Sequence, residues 1–308
     1  MIGRMEIAFL GFGLIAGSIA RAVRTRGTIE ERRGDRLVAW SPTGAGARAA
    51  REDGVIDTVV GSPGEAVASA DLVIIAAPPL EAIALLGILA DPTAARLRPS
   101  TVVTDVTSTK ARIVERAAAL GLPFVGGHPM AGLETSGYAS SREDLFVDRP
   151  WAIVTGGTTT DTPTTAMAAR VAVVEELARR VGARPVRMDA AEHDAAVAAV
   201  SHLPLVLAAA LVEAVAGDPD RGERAGWPIA RSLAATGWRD MTRLARGDES
   251  MGAGILATNA DAIVEQIRAV RDVLDRWIAE LDGPGGPGAE RLHSRLRSAR
   301  RRLDDDAS

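Results

Sequence analysis

Two short stretches combine residue types and spacing that could do chemistry. The first, Leu10-Gly11-Phe12-Gly13-Leu14-Ile15-Ala16-Gly17-Ser18, matches G-x-G-x-x-A, directly after an apolar run and before a helical pattern. The first glycine permits a tight turn, and the second lets backbone N–H groups approach a pyrophosphate. A small third residue, here Ala16, lets the helix pack closely on the strand. A helix N-terminus behind that turn offers partial positive charge to a diphosphate. Gly11, Phe12, Gly13, Leu14 and Ile15 are the candidate cofactor-binding residues, joined by Ala77 and Pro78 after the apolar run 71–76. The second stretch is Gly126-Gly127-His128-Pro129-Met130-Ala131-Gly132. Core packing explains an imidazole in a glycine-rich loop poorly. The chain has four histidines, and the other three read as ordinary. His193 reads as exposed in the acidic helix start Glu192-His193-Asp194, His202 as structural at a kinked helix, and His293 as part of the C-terminal segment.

The elements that would hold these stretches alternate. Strand runs at Glu6–Leu10, Arg36–Trp40, Asp71–Ala76, Thr101–Asp105 and Phe124–Gly126, with weaker ones at Trp151–Thr155 and Pro185–Met188, are separated by helical patterns such as Leu14–Thr25. Ser62-Pro63 and Ser108-Thr109 read as N-terminal caps of helices at Gly64–Ser69 and Lys110–Leu120. Such alternation implies parallel strands with helical crossovers, an α/β, Rossmann-like dinucleotide-binding domain over residues 1–188. Ligands of such sheets bind beyond the carboxyl ends of the strands, where both chemical stretches fall. From Ala190 to Leu281 no strand run appears, and Ala195–Val215, Trp227–Arg246 and Ala257–Leu281 read as long helices. Ile263, Ile267, Val270, Leu274 and Ile278 form a helical stripe. Residues 189–282 are therefore expected to be an all-α domain whose apolar face serves a dimer or an internal core. Gly283–Gly288 breaks the chain before an arginine-rich, flexible tail, 283–308.

Composition narrows the function classes. The 308 residues are 47% hydrophobic and 25% charged. At roughly 100–200 residues per domain, that is a globular chain of about two domains. No apolar run of about 18 residues is expected to span a membrane, and the start reads as a strand rather than a signal peptide. The lack of cysteine removes disulfides, thiolate metal sites and cysteine nucleophiles, and suits a cytoplasmic protein. A net charge of −4 and 3% aromatic content argue against nucleic acid as a partner. Lys110 is the only lysine, so an anion held by a cationic side chain is expected to meet an arginine. At the end of the second strand, Ala39-Trp40-Ser41-Pro42-Thr43 lacks the carboxylate that binds the ribose 2′-OH of NAD. Ser41 and Thr43 can donate to a 2′-phosphate, with Arg48 or Arg51 in reach. Either NADP or NAD is compatible, and the balance leans to NADP.

Five stretches carry a resemblance: GFGLIAGSIA (11–20), TDVTSTK (104–110), GGHPMAG (126–132), EHDAAVAAVSHLP (192–204) and GWRDMTR (237–243). In order and content the chain resembles the prephenate/arogenate dehydrogenases of tyrosine biosynthesis over about residues 5–280. That family joins a dinucleotide-binding domain to a helical dimerisation domain, so a homodimer through the helical half is implied. Its reaction removes hydride from a cyclohexadienol carbinol carbon and a proton from the hydroxyl; carbon dioxide then leaves and the ring becomes aromatic. The resemblance implies that His128 is the general base, a role suited to an imidazole with an unperturbed pKa near 6.5. It implies that Ser108 hydrogen-bonds the substrate hydroxyl, a role compatible with helix capping. It makes Arg243 the substrate-carboxylate arginine, since a guanidinium fork holds a carboxylate bidentately. Arg239, four residues earlier, shares its helical face and is expected to make a surface ion pair, with Asp240 orienting an arginine. Gly132 and Asp240 join Arg243 as the substrate-side residues.

Departures leave the substrate open. Leu205 stands where some members have a second histidine, Leu133 where some have threonine, and Met251–Gly254 where some carry a tryptophan. Without that histidine a polar handle for the keto acid is missing. The pattern looks closer to cyanobacterial-type, NADP-using arogenate dehydrogenases. Prephenate and arogenate are both retained, and a non-catalytic dinucleotide sensor is the rival from another class. A β-hydroxy-acid dehydrogenase is disfavoured, because such enzymes generally use a lysine in the helical half and this chain has none there.

Overall fold

Strand β1 (Glu6–Leu10) is flanked on both sides by parallel partners, β2 (Arg36–Trp40) and β4 (Leu72–Ile75). Buried on both faces, these strands read as nearly continuous apolar runs. In this computed structural model the described residues are 5–26, 34–133, 135–155, 164–218, 220–283 and 286–306. Strands β3 (Thr58–Val59), β5 (Val102–Asp105), β6 (Phe124–Pro129), β7 (Pro150–Val154) and β8 (Arg184–Met188) complete an eight-stranded sheet of order β3-β2-β1-β4-β5-β6-β7-β8. Between the strands run α1 (Leu14–Thr25), α2 (Ala45–Glu52), α3 (Pro63–Val67), α4 (Pro79–Ala90), α5 (Ala111–Ala119) and α6 (Thr165–Arg180). Two apolar clusters cover the two faces, one containing Ile7, Phe9, Ile74 and Trp151, the other Leu10, Val73, Ile75 and Leu86.

One pairing departs from the all-parallel expectation: β7 runs antiparallel to β6. Among its described residues the connection 130–149 has no helical crossover, only a short 3-10 turn at Tyr138–Ser140. A chain that leaves β6 at its carboxyl end and returns there must re-enter the sheet in the opposite sense. The connection therefore stays over the carboxyl edge of the sheet. It is strapped to α1 and α2. The Tyr138 hydroxyl donates to Asp53 at 2.7 Å, the Arg21 guanidinium lies 4.7 Å from the Tyr138 ring centroid, and the Arg142 backbone N–H donates to Ser18 at 2.9 Å.

The second half is helical, with α7 (Ala190–Val197), a π-helical turn (Ala198–His202), α8 (Leu203–Ala216), α9 (Trp227–Ser232), α10 (Thr236–Thr242), a 3-10 turn (Arg243–Arg246), α11 (Glu249–Thr258) and α12 (Ala260–Leu281). Three expectations are corrected here. The helix expected over Trp227–Arg246 is broken at Ala235, whose backbone is extended at φ −115°, ψ −157°; apolar periodicity runs on without a cap signal, so the break is invisible locally. A two-residue ladder, β9 (Gly217–Asp218) with β10 (Gly222–Glu223), interrupts a region expected to lack strands. The run Ala190–Ala216 is long and apolar enough to cross a membrane, because the π-turn lets two shorter apolar segments continue as one. Only 22% of its most apolar window is buried within the protomer.

Residues through Ala262 form one compact unit and those from Ile263 a second. In the second, α13 (Ala289–Asp306) carries the arginine-rich segment. Arg295 lies 3.9 Å from the Trp277 ring centroid and 3.0 Å from Glu280.

Candidate active site

β6 pairs in parallel with β5, so His128 near its end reaches the same carboxyl edge as the β1–α1 glycine turn. The residue is 8% exposed. His128 Nδ1 is 2.9 Å from His193 Nε2, and His193 Nδ1 is 2.8 Å from Asp194 Oδ1. Asp194 in turn accepts the backbone N–H groups of Lys110 at 2.7 Å and Ala111 at 2.8 Å. Those are the orphan donors at the start of α5. Burial, then the neighbouring His193, Lys110 and His202, push the His128 pKa well below the ordinary imidazole value, so the ring is neutral at physiological pH.

Behind this line lies Lys110, fully buried with its Nζ 2.5 Å from Asp105 Oδ2 and 2.9 Å from the Thr107 and Thr109 carbonyls. Burial lowers the ammonium pKa and Asp105 opposes that shift. Asp105 Oδ1 accepts the Gly127 N–H at 3.0 Å, which holds the strand one residue before His128. A Cβ at Gly127 would meet the Asp105 carbonyl oxygen at 2.6 Å, so only glycine permits this approach. On the helical side, Asn259 Nδ2 donates to the Asp194 carbonyl at 2.8 Å and sits 3.1 Å from His202 Nδ1. Burial brings His202 to a pKa of about 4. The Ser108 carbonyl pulls that value up, yet no aligned hydrogen bond reaches His202 Nε2, which is buried without a partner among the described residues.

The glycine turn fits a dinucleotide. Gly11 has φ +92°, and a Cβ there would meet the Ala76 carbonyl oxygen at 2.3 Å. At Gly13 a Cβ would meet nothing within 4 Å, which leaves open space in front of α1. No side chain caps that helix and no acidic residue occupies its first turn, so its N–H groups are left for an anion. Leu14, Ile15, Ala77 and Pro78 are half-buried around this space. The Phe12 ring is spent on the core, edge-on to Phe9 at 5.4 Å, so Phe12 has only its backbone to offer. After β2, Ser41 is half-buried and Thr43 exposed. Arg48 folds back to donate to the Thr43 carbonyl at 3.0 Å.

The structure brings together His128, Lys110, His193, His202 and the Ser108 loop. Ser108 is half-buried and is not the cap expected of it, because Lys110 occupies the N-cap position and Asp194 takes the first N–H groups of α5 from outside. Ser62 does cap its helix, accepting from Glu65 N–H at 3.2 Å. Gly132 lines a cleft with Met130, Leu133, Arg142 and Arg149. Asp240 and Arg239 are exposed on α10, and Arg243 is exposed at the start of the 3-10 turn, which packs against α8. His193 was expected to be exposed and is 1% exposed. Its acidic neighbours pointed to solvent, but one of them, Asp194, is its buried partner. The Glu192-His193-Asp194 pairing was the available signal: an imidazole beside a carboxylate on a helix that faces the first domain.

Residues 19–186 match the nucleotide-binding domain of prephenate dehydrogenase, and residues 189–295 match its dimerisation domain. The chain is 34% identical over 280 residues to the prephenate dehydrogenase of Bacillus subtilis, spanning 90% of this chain and 68% of that one. It is 31% identical over 280 residues to the cyclohexadienyl dehydrogenase of Zymomonas mobilis, spanning 90% and 86%. Among solved structures, Synechocystis arogenate dehydrogenase superposes with a TM-score of 0.71 at 28% identity, covering 98% of this chain and 99% of that one.

Proposed function

The chain belongs to the prephenate dehydrogenase family, and from that premise we propose that it converts prephenate to 4-hydroxyphenylpyruvate with His128 as general base. It is an NAD(P)-dependent dehydrogenase. The observation that carries the reading is a buried, neutral imidazole at the sheet edge that also bears the glycine turn. Gly11, Phe12, Gly13, Leu14 and Ile15 would hold the diphosphate, with Ala77 and Pro78 flanking it. Bound NAD(P) supplies the nicotinamide carbon that takes the hydride. His128 takes the hydroxyl proton as the carbinol carbon is oxidised. Loss of carbon dioxide then drives electrons through the ring onto that oxygen, which recovers a proton as the phenol forms. The imidazole therefore stores a proton and returns it. Ser108 orients the hydroxyl, and Gly132 and Asp240 lie on the substrate side.

Absorbance at about 340 nm, followed with prephenate or arogenate and with NAD or NADP, tests this. Reduced cofactor forming with prephenate is the expected result. No signal with either substrate would leave a dinucleotide sensor. A faster rate with arogenate selects the second reading, which Leu205 and the likeness to an arogenate dehydrogenase favour.

Arg243 anchors a substrate carboxylate in this reading. Arg243→Ala is expected to raise the substrate KM about tenfold or more, since a charge-assisted hydrogen bond contributes about 1.5–3 kcal/mol. A loss confined to cofactor affinity would remove Arg243 from the substrate site. For the cofactor, Ser41, Thr43 and the folded-back Arg48 favour a 2′-phosphate, and NADP is the proposed partner. Arg48→Ala should weaken NADP about tenfold and leave NAD nearly unchanged. Equal loss for both cofactors would refute the preference.

The helical half exposes Val200 (71%), Ile229 (71%), Leu233 (77%) and Met241 (64%). With a matched dimerisation domain, that apolar surface supports a homodimer. A soluble, cytoplasmic enzyme is the proposed setting. The apolar run 190–216 carries His193 and Asp194, whose bonds to His128 and α5 a membrane-spanning helix could not make.

A further inference from the structure

We infer that His193 and Asp194 are positioning residues that fix the tautomer of His128 and share the proton it receives. This rests on His128 being the base. The chain of hydrogen bonds runs one way. Asp194 Oδ1 and Oδ2 already accept the Lys110 and Ala111 N–H groups, so the carboxylate meets His193 as an acceptor. His193 Nδ1, 2.8 Å away, must then carry a hydrogen. In neutral His193, Nε2 is consequently a lone pair. The only hydrogen bond that fits the 2.9 Å contact is donated by His128 Nδ1. His128 Nε2 is left as the lone pair, the state a general base needs.

The same chain accommodates the proton. When Nε2 of His128 receives the substrate's hydroxyl proton, the Nδ1 proton can shift to His193 Nε2. His193 is then an imidazolium that keeps its Nδ1 proton towards Asp194. The shift reverses when the phenolic oxygen recovers its proton, so no proton is gained or lost over the cycle. The charged groups around His128 are His193 and Asp194 on α7, Lys110 before α5 with Asp105 behind it, and His202 in the π-turn. Lys110 is already neutralised by Asp105, and His202 is held neutral by burial. Asp194 is the carboxylate within hydrogen-bonding reach of the two-histidine line.

The test compares wild type, His193→Leu and His193→Gln by two readouts. Gln can accept the His128 Nδ1 hydrogen through its amide oxygen but cannot take the proton; Leu can do neither. Nitrogen-15 spectra of labelled histidine read the tautomer without substrate. His128 with hydrogen on Nδ1 is expected in wild type and in Gln, and loss of that preference in Leu. Hydrogen on Nε2 in wild type overturns the inference whatever the substrate turns out to be. In the activity arm, kcat is expected to fall by about 10²–10⁴-fold in Leu, the upper end being the loss a mis-set tautomer causes in a catalytic triad, with partial recovery in Gln. The pH dependence of kcat should shift in both, while NAD(P) affinity and substrate KM stay within a few-fold. Equal losses in kcat, KM and cofactor affinity, with no rescue by Gln and an unshifted pH profile, would assign His193 to packing alone. If wild type oxidises neither substrate, the family reading of its reaction fails, and the nitrogen-15 arm still decides the tautomer.

Discussion

His128→Asn is expected to lower kcat by about 10²–10⁴-fold, the range for losing a general base, with cofactor affinity nearly unchanged. Asparagine is the informative replacement. Its amide N–H can donate to His193 Nε2 as His128 Nδ1 does, so the buried line from Asp194 keeps its partner. What disappears is the basic lone pair. The wild-type pH profile carries a second signature. Burial and three cationic or potentially cationic neighbours depress the His128 pKa, so the ring stays deprotonated as pH falls through about 6.5, where a free imidazole would protonate. Activity should therefore persist below that pH and fall only as the depressed pKa is crossed. The variant should lack that limb. Parallel kinetics of both proteins across pH make the measurement. An unchanged kcat would take His128 out of the mechanism and, with it, the proposed chemistry.

Lys110→Met is expected to be strongly destabilising. The ammonium and the Asp105 carboxylate are both fully buried and 2.5 Å apart. Removing one partner leaves an uncompensated charge in the core, a loss of about 3–5 kcal/mol. In a chain of this size that is a fall of roughly ten degrees in Tm. Gly127 N–H and the Thr107 donors remain on Asp105, which sets the upper end of the penalty. Adding Asp105→Asn to Lys110→Met should recover much of the stability, because the carboxylate charge is gone while an oxygen remains for Gly127. Thermal or denaturant unfolding of the three proteins decides it. A single variant that loses under about 1 kcal/mol, or a double variant no better than the single, would mean that the pair is not the charge-compensating contact the geometry describes. Activity should drop with stability in the single variant, since Asp105 also holds the strand beside His128.

These expectations divide along a physical line. Residue order alone was enough for the strand–helix alternation, the glycine turn at Gly11–Ala16, the Ser62 cap and the helical second half. Each is encoded by periodicity or turn chemistry within a few residues, and the five family motifs follow from residue identity. His128 stood out for the same reason, since a histidine among glycines has no evident local structural use, but the loop expected around it is instead the end of β6.

What the linear chain left undecided is which polar groups meet. Periodicity tells a helix which face is apolar, and carries no information about the partner that face will find. Thus β7 turned out antiparallel because its connection lacks a crossover. Ser108, a reasonable cap by local rules, lost that role to Asp194, a residue 84 positions from Lys110. His193, reading as exposed beside two acids, became buried 65 positions from its partner His128. In the last two cases a long-range hydrogen bond, favourable only once water is excluded from both groups, overrode the local preference. Identity and scaffold are properties of the sequence; the protonation state and the supporting line of the imidazole exist only after the two halves have closed around it.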